Sequence, residues 1–392
     1  PTLAGMLHYA PLAVSQVADL AGVYAVSFVV VAVNVVLAEC WLHFSHRRTR
    51  GAAPRRELLT AGLLVAATIG YGLVRLDAID NAGPMATGHL KGSDVARGTP
   101  IAIVQGNLDL GSRWSPELYG RNLDVYLELT EQSASSAPPR IVFWPENAMT
   151  FFVDQEPIYR AAIAHILSPL GAQLVAGAPR QEVRRGGVAA GGRAETRYYN
   201  SAFLLSPEGE ILGRYDKQHL LPFAEYFPLE KLDFMKRSFG RVREFSPGRA
   251  TPPLPSAAGG AGVVICNEAM FPRVARKRVA AGAAYLVNLA NDSWIPSREF
   301  AEHQFDMISM RAIELRRFLV RASTSGPSGV ISPAGRVLVR TEPFRRGFVR
   351  ASIAPRSDRT LYAIAGDWFA WLCVAIALSA AGFAAATWRR RK

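Results

Sequence analysis

Polar residues are almost absent from three stretches of this chain. VYAVSFVVVAVNVVLA (23–38) extends an apolar context that begins near Leu20, and ELLTAGLLVAATIGYGLVRL (57–76) is the second run. The third, WFAWLCVAIALSAAGFAAATW (368–388), carries Trp368 and Trp388 at its two ends. Each approaches the ~20 apolar residues that a helix needs to cross a bilayer, and terminal tryptophans suit the membrane–water interface. The pattern predicts transmembrane helices at about 20–40, 57–76 and 366–388.

From Thr99 to about Ser352 the pattern changes to short buried strands alternating with helices. PIAIVQGN (100–107), RIVFWPEN (140–147), AQLVAGAP (172–179), SAFLLSP (201–207), GVVICNE (262–268) and AYLVNLAND (284–292) read as strands. PELYGRNLDVYLELTEQS, EPIYRAAIAHILSPL and REFAEHQFDMISMRAIELRRFLV carry helical periodicity between them. SPEGEIL and SPAGRVL each place a turn between strand-like runs, and RRGGVAAGGRAET (184–196) reads as a surface loop. The class is α/β with mixed sheets, and no internal repeat is visible. The organisation is a membrane region over 1–77, a globular domain over 98–355, a last membrane helix and a basic tail at 389–392.

Charge gives this arrangement a direction. The formal net charge is +13, and mean hydropathy is +0.10 with 20% charged residues. Two dense basic clusters, HRRTRGAAPRR (46–56) and WRRRK (388–392), flank apolar runs. They read as membrane orientation signals rather than as a nucleic-acid surface. The positive-inside rule puts both clusters in the cytoplasm, so the domain between the second and third helices faces outward. A third cluster, RVARKR (273–278), reads as a solvated helix face. The chain opens on Pro1 with no charged segment of signal-peptide type, and reads as the C-terminal part of a longer membrane protein.

Three cysteines make no disulfide framework, and no zinc, HExxH or P-loop spacing is present; no metal or cofactor is expected. Cys40 and Cys373 fall at or within membrane runs, which leaves Cys266 alone in the outward domain. Small buried cysteines are common in cores. A nucleophilic one needs a base, a cation and a strand-end location. Histidines form no pattern with Cys266, whereas Glu146 follows a strand in FWPEN, and Lys217 and Glu225 share YDKQHLLPFAEYFP. Capping for Glu146 and a surface ion pair for Lys217 are the plainer readings of each taken alone.

Taken in order, WPE, YDKQHLLPF and ICNE resemble the Glu–Lys–Cys set of the nitrilase (carbon–nitrogen hydrolase) superfamily. VADLAGVYAVSFVVVAVNVVLA, VQGNLDLGSRW, PFAEYFP and NDSW followed by HQFDMISMRAIELRRFLVRAS narrow the resemblance to the bacterial apolipoprotein N-acyltransferase family. That resemblance implies an α-β-β-α sandwich attached to membrane helices in the inner membrane, working as a monomer on the periplasmic side. It implies Glu146 as general base, Cys266 as nucleophile, and Lys217 with the backbone of Asn267 at the oxyanion. Glu225 and Glu268 are the implied supporting carboxylates, and Trp114, Phe227 and Trp294 are the implied substrate contacts. Its substrates would be a phospholipid acyl donor and a diacylglyceryl-modified apolipoprotein acceptor, joined through an acyl thioester. FAEYFPLEKLDFMKRSFGRVREF (223–245) reads as a lid dipping into the outer leaflet. Asn267 stands where that family usually has tyrosine. A membrane-tethered amidase and a catalytically silent binding paralogue are the two competing readings.

Overall fold

The computed structural model describes residues 12–45, 54–81, 98–108, 119–135, 137–184, 195–227 and 245–390. Apolar runs buried on both faces form parallel strands, since covering layers leave such strands no solvent side. The first sheet has β1 (Thr99–Gln105), β2 (Ile141–Phe143) and β3 (Gln173–Arg184) parallel. They are joined through helices α5 (Tyr119–Ser133) and α6 (Pro157–Leu170). β4 (Glu195–Leu205) and β5 (Ile211–Asp216) continue it antiparallel, and β12 (Gly347–Ile353) closes its other edge against β1.

The second sheet repeats that plan. β7 (Gly259–Ile265), β8 (Tyr285–Ala290) and β9 (Leu319–Ser323) run parallel, joined through α7 (Pro272–Ala280) and α8 (Arg298–Leu315). β10 (Gly329–Ile331) and β11 (Val337–Arg340) follow antiparallel, and β6 (Leu254–Ser256) pairs with β7. The strand orders are β12-β1-β2-β3-β4-β5 and β11-β10-β9-β8-β7-β6. The duplication is one of topology, so a search for repeated residues passes over it.

Ile103, Phe143, Val175, Val263, Val287 and Val320 belong to one core that holds the two sheets face to face. α5 and α6 cover the outside of the first sheet through Leu123, Leu129, Ile163 and Leu167. α7 and α8 cover the second through Val274, Val279, Ile308 and Leu315. The order of layers is therefore α-β-β-α. Both turn signals become hairpins, linking β4 to β5 and β10 to β11. The last predicted helix is too long, because α8 stops at Arg316, whose φ of +49° is left-handed, and the apolar residues beyond enter β9. RVARKR also departs from a fully solvated face: Arg278 is buried and donates to the carbonyls of Thr251 and Pro252.

Among the described residues three helices are long and apolar enough to cross a membrane: α3 (Val23–Phe44), α4 (Arg55–Asn81) and α10 (Trp368–Arg390). Their domain-side ends are tied down together. Short helices α1 (Leu12–Ser15) and α2 (Ala18–Ala21) lead into α3, α1 packing on α4 and α2 docking on α8. The buried Arg316 guanidinium donates to Asp19 at 2.7 Å and to the Gln16 side chain at 2.6 Å. Asp19 also accepts from Tyr71 and Arg75 of α4. Val23 N–H donates to Glu314, and the Trp368 indole donates to the carbonyl of Leu20.

Removing one partner of a buried ion pair strands the other, at a cost of about 3–5 kcal/mol. Asp19→Ala should therefore lower stability by about that amount through the uncompensated Arg316. Denaturation of the detergent-solubilised chain measures it, and an unchanged midpoint would refute the tie.

Candidate active site

β7 delivers Cys266 to the end of the second sheet. There the chain enters a 3₁₀ turn, Cys266–Met270, and Cys266 takes φ +53°. A non-glycine residue in the left-handed region is strained and persists only where its surroundings hold it. Asn288 on neighbouring β8 donates to the carbonyls of both Val264 and Cys266 at 3.2 Å. Arg321 donates to Asn288 at 2.5 Å and to Asp292 at 2.7 Å, and all three residues are buried.

Glu268 is fully buried two residues after the cysteine. Its carboxylate accepts from the backbone N–H groups of Ile265, Gln218 and His219, and from the Tyr215 hydroxyl. One side chain thus fastens the cysteine turn to the segment that carries Lys217. Burial pushes the Glu268 pKa up, while the three backbone donors and the charge of Lys217 oppose the rise.

The other groups come from the first sheet. Glu146 follows β2, where Trp144 N–H donates to Val175 and the Trp144 indole bonds to Thr130. The turn lies directly on β3: Gly177 N–H donates to Pro145, and a Cβ at Gly177 would stand 2.6 Å from Glu146 Cα. Glycine is needed there for close backbone approach. Lys217 follows β5, its N–H donating to Asn200 and its carbonyl accepting from Gly248. Its ammonium is 2.9 Å from both carboxylate oxygens of Glu225. The other bond to Glu225 Oε2 comes from Leu221 N–H.

Asn200 joins these carboxylates. Its single side-chain amide donates to Glu146 Oε1 at 2.7 Å and to Glu225 Oε1 at 2.8 Å. Sequence reasoning missed it, since an asparagine inside a strand carries no motif. The available signal was an uncharged polar residue directly before the apolar run SAFLL.

Burial pushes the Cys266 thiol pKa up, the charge of Glu146 adds to the rise, and Lys217 opposes it. Burial also raises the Glu146 pKa, against Lys217 and the hydrogen bonds from Asn200 and Cys266. For Lys217, burial pulls downward, but the charges of Cys266, Glu146 and Glu225 outweigh it and the ammonium is held protonated. The arrangement holds a neutral thiol in contact with a carboxylate of raised proton affinity, beside a fixed cation. It can move a proton from sulfur to Glu146 and stabilise a developing oxyanion. Among the described residues no group of three His, Cys, Asp or Glu side chains could hold a metal ion.

Glu146, Lys217, Glu225, Cys266 and Glu268 are therefore brought together. Asn267 follows the cysteine within the turn, half-buried. Trp294 is 58% exposed, with its indole donating to the Asn291 carbonyl. Phe227 is buried with its ring edge on Phe223 at 5.7 Å, so it lines no open surface as placed. Trp114 and most of the expected lid, 228–244, lie outside the described residues.

A sandwich of this topology with a glutamate, a lysine and a cysteine at its strand ends defines the class. The family model described as carbon-nitrogen hydrolase matches residues 101–360, and the chain belongs to that family. Over nearly its whole length it is similar to the apolipoprotein N-acyltransferase of Geobacter metallireducens, 32% identical over 388 residues, covering 99% of this chain and 70% of the relative. It is also 32% identical over 382 residues to the protein of that name from Bradyrhizobium diazoefficiens, covering 94% of this chain and 66% of the relative. The chain thus spans about two thirds of the length of these curated relatives. Among solved structures it is similar to the C. elegans NitFhit protein, with a TM-score of 0.49, 18% identity, and coverage of 71% of this chain and 63% of that one.

Two outcomes test this geometry. Gly177→Ala should slow acylation of Cys266 by about a hundredfold, because the Glu146 turn must move by a few tenths of an ångström or more. Single-turnover acylation followed by mass spectrometry, with near-UV circular dichroism as a control for folding, checks it. Asn200→Ala removes a donor that favours ionised Glu146, so the Glu146 pKa rises further. The acidic limb of the acylation pH profile should shift to higher pH, with a rate loss of about tenfold to a hundredfold. An unmoved limb would show that Asn200 does not act through Glu146.

Proposed function

We propose that this protein transfers a fatty acyl chain from a membrane phospholipid to the α-amine of a diacylglyceryl-cysteine at an apolipoprotein N-terminus, through a thioester on Cys266. One observation carries the reading: the strained Cys266 elbow meets Glu146 and Lys217 in a domain whose chain also supplies three membrane-length helices. The names of the curated relatives support N-acylation of an apolipoprotein acceptor, and the three membrane-length helices support the membrane setting.

In the first half-reaction Glu146 takes the Cys266 proton as sulfur attacks the ester carbonyl. The sulfur–carbon bond forms, and Lys217 with the Asn267 N–H receives the oxyanion. Collapse breaks the ester carbon–oxygen bond, and Glu146 returns its proton to the departing lysophospholipid oxygen. In the second half the acceptor amine attacks the thioester, its proton passes to Glu146, and the carbon–sulfur bond breaks. Glu146 reprotonates the sulfur, and the site returns to its starting state. Glu225 and Glu268 hold Lys217 and the cysteine turn, while Trp114 and the exposed Trp294 serve the lipid substrates; buried Phe227 supports the segment carrying Glu225 rather than touching lipid.

The helix ends support an orientation. The domain is tied to the start of α3, the end of α4 and the start of α10. Arg55, Arg56, Arg389 and Arg390 lie at the opposite ends. By the positive-inside rule this favours a catalytic domain in the periplasm, and the reading makes the chain a multi-pass protein of the inner membrane. The reading takes the working unit to be a monomer, since Glu146, Lys217 and Cys266 come from one chain.

Incubating the detergent-solubilised protein with a defined phospholipid should add one acyl mass that hydroxylamine removes. Cys266→Ser should carry no such adduct. Adding a diacylglyceryl-cysteine peptide should discharge the thioester and acylate the peptide amine. Discharge to water alone would favour the amidase reading, and a folded protein with no adduct would favour a silent paralogue.

A further inference from the structure

The basic segment 273–278 has no part in that chemistry, yet the fold gives it a definite place. It forms most of α7, which starts directly behind the Cys266 turn. Val274, Ala275 and Val279 enter the core with Tyr362, and Arg278 turns inward as described. Arg273 and Lys277 remain exposed, with Arg276 half-buried beside them. A Cβ at Gly366 would lie 2.9 Å from the Arg276 guanidinium carbon, so that side chain reaches the residue two before α10. Next to it stands the short helix α9 (Leu361–Ala365). Leu361 and Ile364, one turn apart, are 46% and 64% exposed, whereas Tyr362 between them is buried.

The level of this face identifies what it meets. Tyr362 packs over Gly22, where an added Cβ would lie 2.6 Å from the ring, and α3 begins at the next residue. The Trp368 indole, at the first residue of α10, bonds to Leu20 just before Gly22. α9 therefore lies at the height where two membrane-length helices leave the domain. Side chains exposed there face the headgroup region of the bilayer. A tryptophan at that height is characteristic of the interface.

The composition of the face matches that location. Arg273, Arg276 and Lys277 have no ion-pair partner among the described residues. The nearby carboxylate of Asp358 is occupied by Arg356 and Arg317, and Asp367 accepts from Tyr362. A solvated helix face would explain the charges but not Leu361 and Ile364 beside them. Unpaired cations next to exposed apolar side chains are the composition of an interfacial membrane-binding surface.

We infer that α7 and α9 form a platform binding the phosphate headgroups of anionic phospholipid in the leaflet that the domain faces. Arg273, Arg276 and Lys277 meet the phosphates, and Leu361 and Ile364 enter the boundary of the acyl region. Because α7 follows the Cys266 turn without a linker, contact here fixes the height of Cys266 above the lipid. The inference rests on the membrane placement of α3 and α10 and needs no turnover, so Cys266→Ser protein serves for its test.

Hydrogen–deuterium exchange of peptides covering 271–280 and 359–366 is compared in nanodiscs of phosphatidylcholine alone and with added phosphatidylglycerol. At low salt, the anionic lipid should slow exchange by about tenfold, and roughly 0.5 M salt should abolish that difference. Arg273→Gln/Arg276→Gln/Lys277→Gln should lose the response to phosphatidylglycerol, and Leu361→Gln/Ile364→Gln should exchange faster in both lipids. Both variants are first shown to unfold like the parent in detergent. Equal exchange in the two lipids would overturn the platform, as would a lipid response that survives the triple substitution. Thioester formation in detergent is read separately, so failure of the platform and failure of the acyl-transfer reading give different results.

Discussion

One ammonium group kept charged inside protein governs the arrangement around it. Lys217 is 1% exposed, and an isolated charge so placed would cost several kcal/mol. Glu225 balances it at 2.9 Å through both oxygens, so the pair is close to neutral before any chemistry begins. Glu146 is then the surplus carboxylate, and burial with the neighbouring Glu225 charge raises its proton affinity. The Asn200 amide bridges the two carboxylates by donating a hydrogen bond to each. On the proposed mechanism this division leaves one proton to pass between Glu146 and Cys266 beside the Lys217 cation, and a carboxylate takes the part of a histidine.

The same groups come from different sheets. Glu146, Asn200 and Lys217 belong to the first, and Cys266 to the second. Their meeting therefore depends on the core between the layers, and errors in packing there become errors at the reacting atoms. Glu268 works across that division, since its carboxylate binds Ile265 on one side and the backbone around Lys217 on the other. Asn288, Arg321 and Asp292 hold the cysteine elbow from behind. These polar groups are fully buried and mutually satisfied, the condition under which such a network makes a geometry rigid rather than weak.

Much of this could be read in the sequence, and the omissions have physical reasons. Strand-end positions of Glu146, Cys266 and Glu268 were legible because buried parallel strands are unbroken apolar runs whose polar termini stand out. The membrane helices were legible by length alone, although α4 continues past its expected end because its last turn is polar and is held by contacts with the domain. Asn200 was not legible: its role exists only once β4 lies between β3 and β5. The end of α8 was misjudged because Arg316 offers no glycine signal. Its left-handed backbone is stabilised by bonds to Asp19 and Gln16, about 300 residues earlier in the chain. The fate of Arg278 was equally hidden, since helical periodicity says which side is inward but not that carbonyls of Thr251 and Pro252 wait there.

The raised thiol pKa bears on a difficulty that the proposed periplasmic placement creates. There a cysteine without a disulfide partner is exposed to oxidants, and it is the thiolate that oxidises fastest. Many reactive cysteines are activated by stabilising the thiolate at rest, which would keep this one permanently vulnerable. Here burial and the Glu146 charge keep sulfur protonated despite Lys217. On the proposed mechanism, nucleophilicity then depends on Glu146 accepting the proton as a carbonyl arrives whose developing negative charge Lys217 can stabilise. Reactivity is in that reading tied to the presence of an acyl donor, and the strain at Cys266 holds the sulfur aimed without requiring it to be ionised.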